Sequence, residues 1–156
     1  MIRSSENIIV RTVSRILIPF IQLFALYVIA HGHYSPGGGF QGGVILGASL
    51  VLLLITYGPQ GTIGYMKGKS ISVFSSLGVL IYSGIGVICM LLLGNYLDYG
   101  KLSVLLHVIP AEARSLGILG VEAGVGFTVM AIMFSIFFDI SSGGEPPDNE
   151  KKYPPI

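Results

Sequence analysis

Four apolar runs, each close to the length of a membrane span, constrain this chain more than any other feature. They extend from about Val13 to Ala30, Phe40 to Tyr57, Ile71 to Leu93 and Leu116 to Phe138, and a helix needs roughly 20 apolar residues to cross the hydrocarbon core of a bilayer. A spanning segment must satisfy its own backbone polar groups, so runs of this length read as helices rather than open strands. The sequence therefore predicts an all-α, polytopic membrane protein with four transmembrane helices. Composition points the same way: 52% of residues are hydrophobic and 11% charged, whereas soluble domains carry roughly 25% charged residues. A chain of 156 residues is expected to form one membrane domain over residues 1–140. The tail at 141–156 is rich in Pro, Gly and charge and reads as a flexible cytoplasmic segment.

Charge placement predicts the orientation. An even number of spans puts both termini on one side. Arg3, Arg11, Arg15, Lys67, Lys69, Lys151 and Lys152 fall on that side, against Lys101 and Arg114 on the other. The positive-inside rule then places both termini in the cytoplasm. The first span is read as a retained helix, not a cleaved leader, because three more spans follow it. The net charge of +1 includes no cationic block able to neutralise phosphates, so no nucleic-acid partner is expected. Cys89 is the single cysteine, cannot form an intrachain disulfide, and reads as a small hydrophobe.

The third connection is partly apolar. Leu102, Val104, Leu105, Leu106, Val108 and Ile109 precede Pro110, which predicts a segment lying at the outer interface and too short to span. Pro110 suits the first turn of the following helix, with Glu112 near the positive end of its dipole.

Glycine spacing identifies the packing faces. Lipid supplies no hydrophobic drive between helices, so small residues mark where backbones approach. Gly39, Gly43 and Gly47 are four apart and share a helix face. On the fourth span Gly117, Gly120, Gly124, Thr128, Ala131 and Ser135 fall within about 80° of arc. Glu122 projects roughly 160° away from that small face, beside Leu119, Gly126, Val129 and Met133. A carboxylate facing lipid costs several kcal/mol, so this face is expected to meet another protein. Two roles stay open for Glu122: a neutral acid hydrogen-bonded to a neighbouring helix, or a station on an ion path.

Between the first two spans lies His31-Gly-His-Tyr-Ser-Pro-Gly-Gly-Gly-Phe-Gln-Gly-Gly43. His31 and His33 at i and i+2 would diverge by about 200° in a helix, and no Cys, Asp or Glu follows closely, so no metal site is expected. The glycines lack the Lys-Ser/Thr pair of a phosphate loop. No nucleophile, base and acid stand together, so no catalytic residue and no cofactor are expected. His31, His33 and a third outer-side imidazole, His107, remain able to relay protons near neutral pH. The stretch predicts a turn from His31 to Ser35 and a helix starting at Pro36. In that arrangement Ser35 caps the helix, Gly37 and Gly38 leave its first turn bare, and Phe40 anchors it against another helix or subunit.

Read whole, residues 16–58, and above all "HGHYSPGGGFQGG", closely resemble the B subunit of the Mrp/Mnh family of multisubunit cation/proton antiporters. The resemblance continues more loosely through "SLGILGVEAGVGFTVMAIMFSIFFD". Its hallmark positions here are His31, Gly32, His33, Pro36, Gly37, Gly38, Gly39, Phe40, Gly42 and Gly43; Glu122 is not among them. The resemblance implies a multi-pass subunit of a prokaryotic plasma membrane that works beside other Mrp/Mnh-type antiporter subunits in sodium and proton transport. It implies equally the archaeal hydrogenase and sulfur-reductase complexes that use a similar subunit, with hydrogenase-like peripheral partners. The resemblance places the main ion channels in larger subunits with intramembrane lysines, which this chain lacks. A purely structural scaffold is the remaining alternative.

Overall fold

The computed structural model describes residues 8–33, 36–63 and 68–142. Its elements are α1 (Ile8–Ala30), α2 (Gly39–Ile63), α3 (Gly68–Leu91), a 3-10 turn at Tyr99–Lys101, the short α4 (Leu102–Leu106) and α5 (Pro110–Ser142). Helices α1, α2, α3 and α5 are each long and apolar enough to cross a membrane, in agreement with the four runs. Of the proposed tail, residues 143–156 lie outside the described residues.

Local chemistry sets the helix ends. α5 begins at Pro110, where a missing N–H costs nothing, and carries Glu112 in its first turn. At 33 residues and about 1.5 Å per residue it is about 50 Å long, well beyond the roughly 30 Å of bilayer hydrocarbon. α2 leaves helical space at Gly58 (φ 74, ψ 169), and Pro59 opens a further short turn. α3 ends at Leu91, two residues before the end of its apolar run. The Leu93 N–H donates to the Met90 carbonyl at 3.0 Å and the Gly94 N–H to the Cys89 carbonyl at 3.1 Å. This paired closure needs a left-handed residue. Leu93 takes that role with φ 60, although a glycine follows immediately.

The long helices form a row ordered α1, α2, α5, α3: α1 packs mainly on α2, while α2 and α3 flank α5. α1 turns Ser14, Ile18, Ala25 and Ile29 inward, and a Cβ added at Gly42 would overlap Ile29 and lie 2.9 Å from the Ala25 carbonyl oxygen. Arg11 caps the other end of this pair, 5.0 Å from the Tyr57 ring centre. α2 and α5 run parallel. Their interface is glycine against backbone at one end and Leu50, Leu54, Met130, Phe134 and Phe138 at the other. The two helices therefore touch closely near Gly39 and are held further apart by large side chains below.

The small face of α5 packs on α3 and on the segment that follows it. A Cβ at Gly124 would lie 2.8 Å from the Gly78 carbonyl oxygen, one at Gly120 would lie 2.9 Å from Ile85 Cδ1, and one at Gly117 would lie 2.6 Å from the Tyr99 ring. Thr128 Oγ1 reaches the Ser75 carbonyl at 3.4 Å. Ser135 lines an open cleft with Ser72, Ser75 and Ser76. Cys89 is fully buried in a second cluster with Leu102 and Ala113, which seats the third connection on the end of the row. Val104, Leu105 and Ile109 stay exposed there, as an interfacial segment requires.

Three stability outcomes follow from these contacts and from the turn at Leu93. Gly124→Val drives a side chain into the α3 backbone and is expected to lower stability in detergent by about 1–3 kcal/mol. Gly84→Ala, where nothing lies within 4 Å of the added carbon, should disturb no contact and raise stability by about 0.5–1 kcal/mol, the cost of glycine inside a helix. Leu93→Gly should raise stability by about 1–2 kcal/mol, the cost of a left-handed L-residue; an unchanged midpoint would contradict the αL assignment.

Candidate functional site: a glycine corner closed on Glu122

The corner between α1 and α2 starts as a frayed helix end. The His31 N–H donates to the Tyr27 carbonyl at 3.0 Å, and the Gly32 N–H to the Ile29 carbonyl at 3.4 Å. Pro36, Gly37 and Gly38 are not helical, and Gly38 has φ 136, a conformation that side chains disfavour. Its carbonyl accepts the first α2 bond, from the Gly42 N–H at 2.9 Å. Gly38 is thus the N-cap of α2. The expectation that this helix begins at Pro36 is corrected: it begins at Gly39, because the backbone at Gly38 lies outside helical space. Tyr34 and Ser35 lie outside the described residues, and with them the proposed Ser35 cap.

The corner wraps the carboxyl group of Glu122. A Cβ added at Gly32 would lie 2.6 Å from Glu122 Cδ and closer still to both carboxyl oxygens. One at Gly38 would lie 3.3 Å from Oε1, and one at Gly39 would collide with the Glu122 carbonyl oxygen. Below them, a Cβ at Gly43 would lie 2.7 Å from the Gly126 carbonyl oxygen, and one at Gly47 would lie 3.2 Å from Met133 Cβ. The Glu122 face of α5 therefore meets this chain's own corner and α2. The expectation of another protein on that face is corrected: glycine lets α2 approach closely enough to cover it.

Glu122 lies on α5 about 12 Å from Arg114 and about 26 Å from Asp139 along the axis, nearer the corner end of the row. Its Oε2 atom is buried with no hydrogen-bond partner among the described residues. His33 faces it closely enough for the two charges to interact, and its Nδ1 is buried. Tyr99, from the turn before α4, also stands within electrostatic reach. Burial raises the pKa of the Tyr99 hydroxyl, helped by Tyr82, Cys89, Tyr96 and Glu122, so this phenol stays protonated and remains a donor. Spacing placed Gly126 on the Glu122 face. Nothing in the third connection marked Tyr99.

The other two histidines stand apart. His31 is exposed, its ring stacked on Tyr27 at 4.1 Å and its Nδ1 3.1 Å from the Tyr27 carbonyl oxygen. His107 is exposed in a left-handed turn (φ 55), with Nδ1 3.2 Å from the Leu105 carbonyl oxygen. Phe40 points away from the corner and is 64% exposed. Of the residues singled out for ion movement, the structure joins Glu122 and His33 and leaves His31 and His107 at the surface. Among the described residues, no group of three or more His, Cys, Asp or Glu side chains converges to hold a metal ion.

Comparison with known proteins gives matches along most of the chain. The family model described as a domain related to the MnhB subunit of Na+/H+ antiporter matches residues 9–135. Proteins named antiporter subunit mnhB2 from Staphylococcus aureus strains Newman and JH1 are each 23% identical over 138 residues, covering 88% of this chain and 96% of the relative.

The corner makes a specific energetic prediction. Gly32→Ala places a methyl group in the Glu122 carboxyl and should destabilise, and Glu122→Ala should relieve that clash. A double-mutant cycle on thermal unfolding should return a coupling of about 0.5–3 kcal/mol. Gly39→Ala, which meets the Glu122 backbone instead, should show no such rescue. Equal rescue at both glycines would mean that the collar does not close on the side chain.

Proposed function

The chain belongs to the family of domains related to the MnhB subunit of Na+/H+ antiporters and is a small membrane subunit of an antiporter module; on that premise we propose that Glu122 and His33 form part of the module's ion path. The observation that carries this is the meeting of the most distinctive motif in the sequence with the one carboxylate that, among the described residues, lies in the interior of a long helix. Held in a membrane helix, such an acid costs several kcal/mol unless it is protonated or paired, so intramembrane acids mark ion and proton paths. His33 lies within electrostatic reach of the carboxyl at the corner end of the row.

In this reading the chain is one element among several. We place it beside other subunits of Mrp/Mnh type in a plasma membrane, with both termini cytoplasmic on the strength of its basic residues, so that the Glu122 corner opens outward. The exposed sides of α1 and α3, and Phe40 at the head of α2, are then available to neighbouring subunits and lipid. No residue carries catalysis; the work is positional and electrostatic.

The test is exchange by the assembled complex in vesicles. Glu122→Gln should lower sodium-driven proton exchange by about tenfold or more, the scale of losing a positioned proton acceptor, while co-purification of the other subunits is retained. His31→Gln and His107→Gln should exchange like the wild type. Unimpaired exchange in Glu122→Gln would leave a structural scaffold as the role of this chain.

A further inference from the structure

The fit of the corner around Glu122 bears on which ion the site takes. A dehydrated sodium ion needs several oxygen ligands at once, as hard cations do. Here the space beside the carboxyl is taken by glycine backbone: a single carbon added at Gly32 overlaps both oxygens, and one at Gly38 lies 3.3 Å from Oε1. The Gly38 carbonyl is already bonded to the Gly42 N–H at 2.9 Å. Among the described residues, the carboxyl meets the bare backbone of Gly32, Gly38 and Gly39, with the His33 imidazole within electrostatic reach. No second carboxylate joins them among the described residues. A proton needs no added volume and only one acceptor.

We propose that Glu122 is a proton-only site, whose collar of Gly32, Gly38 and Gly39 leaves room beside the carboxyl for a proton and not for a sodium ion. The step is a simple protonation: a hydronium ion gives up a proton as its O–H bond breaks, an O–H bond forms on the carboxylate, and the acid ends neutral beside a water molecule. Sodium crosses the module elsewhere. The inference rests on the reading of Glu122 as an ion-path residue and adds the ion that it carries.

Infrared difference spectroscopy on the purified, assembled complex tests it. Subtracting Glu122→Gln from wild type isolates the carboxylic-acid carbonyl band of Glu122, which is followed over a pH series in potassium and in sodium buffers. The expected result is a titrating band with the same midpoint in both. Competing sodium would shift the midpoint by about one pH unit per tenfold rise in concentration; that shift, or a band that does not titrate, overturns the proposal. Unimpaired transport in Glu122→Gln would instead remove the residue from the ion path while leaving its proton selectivity standing, so the two failures are separable.

Discussion

The close approach of α2 to α5 at Gly39 and Gly43 is the contact on which the rest depends. Dispersion forces fall off within fractions of an ångström, and in a bilayer no hydrophobic drive compensates for a gap between helices. Glycine removes the side chain that would hold the backbones apart, so the Gly39 and Gly43 Cα atoms rest against the Glu122 and Gly126 backbone. Once that end is fixed, Leu50, Leu54, Phe134 and Phe138 fill the wedge below, and α1 follows α2 through Gly42. The opposite face of α5 repeats the device with Gly78 and Gly124 against α3. A central helix with small residues on two opposed faces yields a row rather than a closed bundle.

The same contact solves the problem that Glu122 poses. An acid at this depth must be kept from lipid, and large side chains around it would either leave voids or clash. Backbone without side chains packs against the carboxyl closely and brings His33 to it. The left-handed Gly38 turns the chain from the corner into α2, so the conformational freedom of glycine is needed there as much as its small size. The same glycines therefore close the α2–α5 contact and wrap the Glu122 carboxyl.

Much was legible beforehand. The four spans, the start of α5 at Pro110, the ladder of Gly39, Gly43 and Gly47 and the small face from Gly117 to Ser135 all follow from apolar length and a 3.6-residue period, which are local properties. The errors were local too. Pro36 and a glycine run resemble a helix start, but the backbone at Gly38 defers it to Gly39. The third apolar run extends to Leu93, but α3 ends at Leu91 because Leu93 takes a left-handed turn.

The sequence by itself determined that this chain lies in a membrane, how many times it can cross, which faces of its helices are small, and that one acid sits among apolar residues without a visible partner. Periodicity reports which way a residue points on its own helix, and nothing about what stands opposite. Only the tertiary structure decided that His33, nearly ninety positions away in the chain, faces Glu122, that Tyr99 stands within reach, and that His31 and His107 do not join them. The pairing depends on the angle at which α2 crosses α5 and on the turn at Gly38, and both are set by contacts between segments distant in sequence.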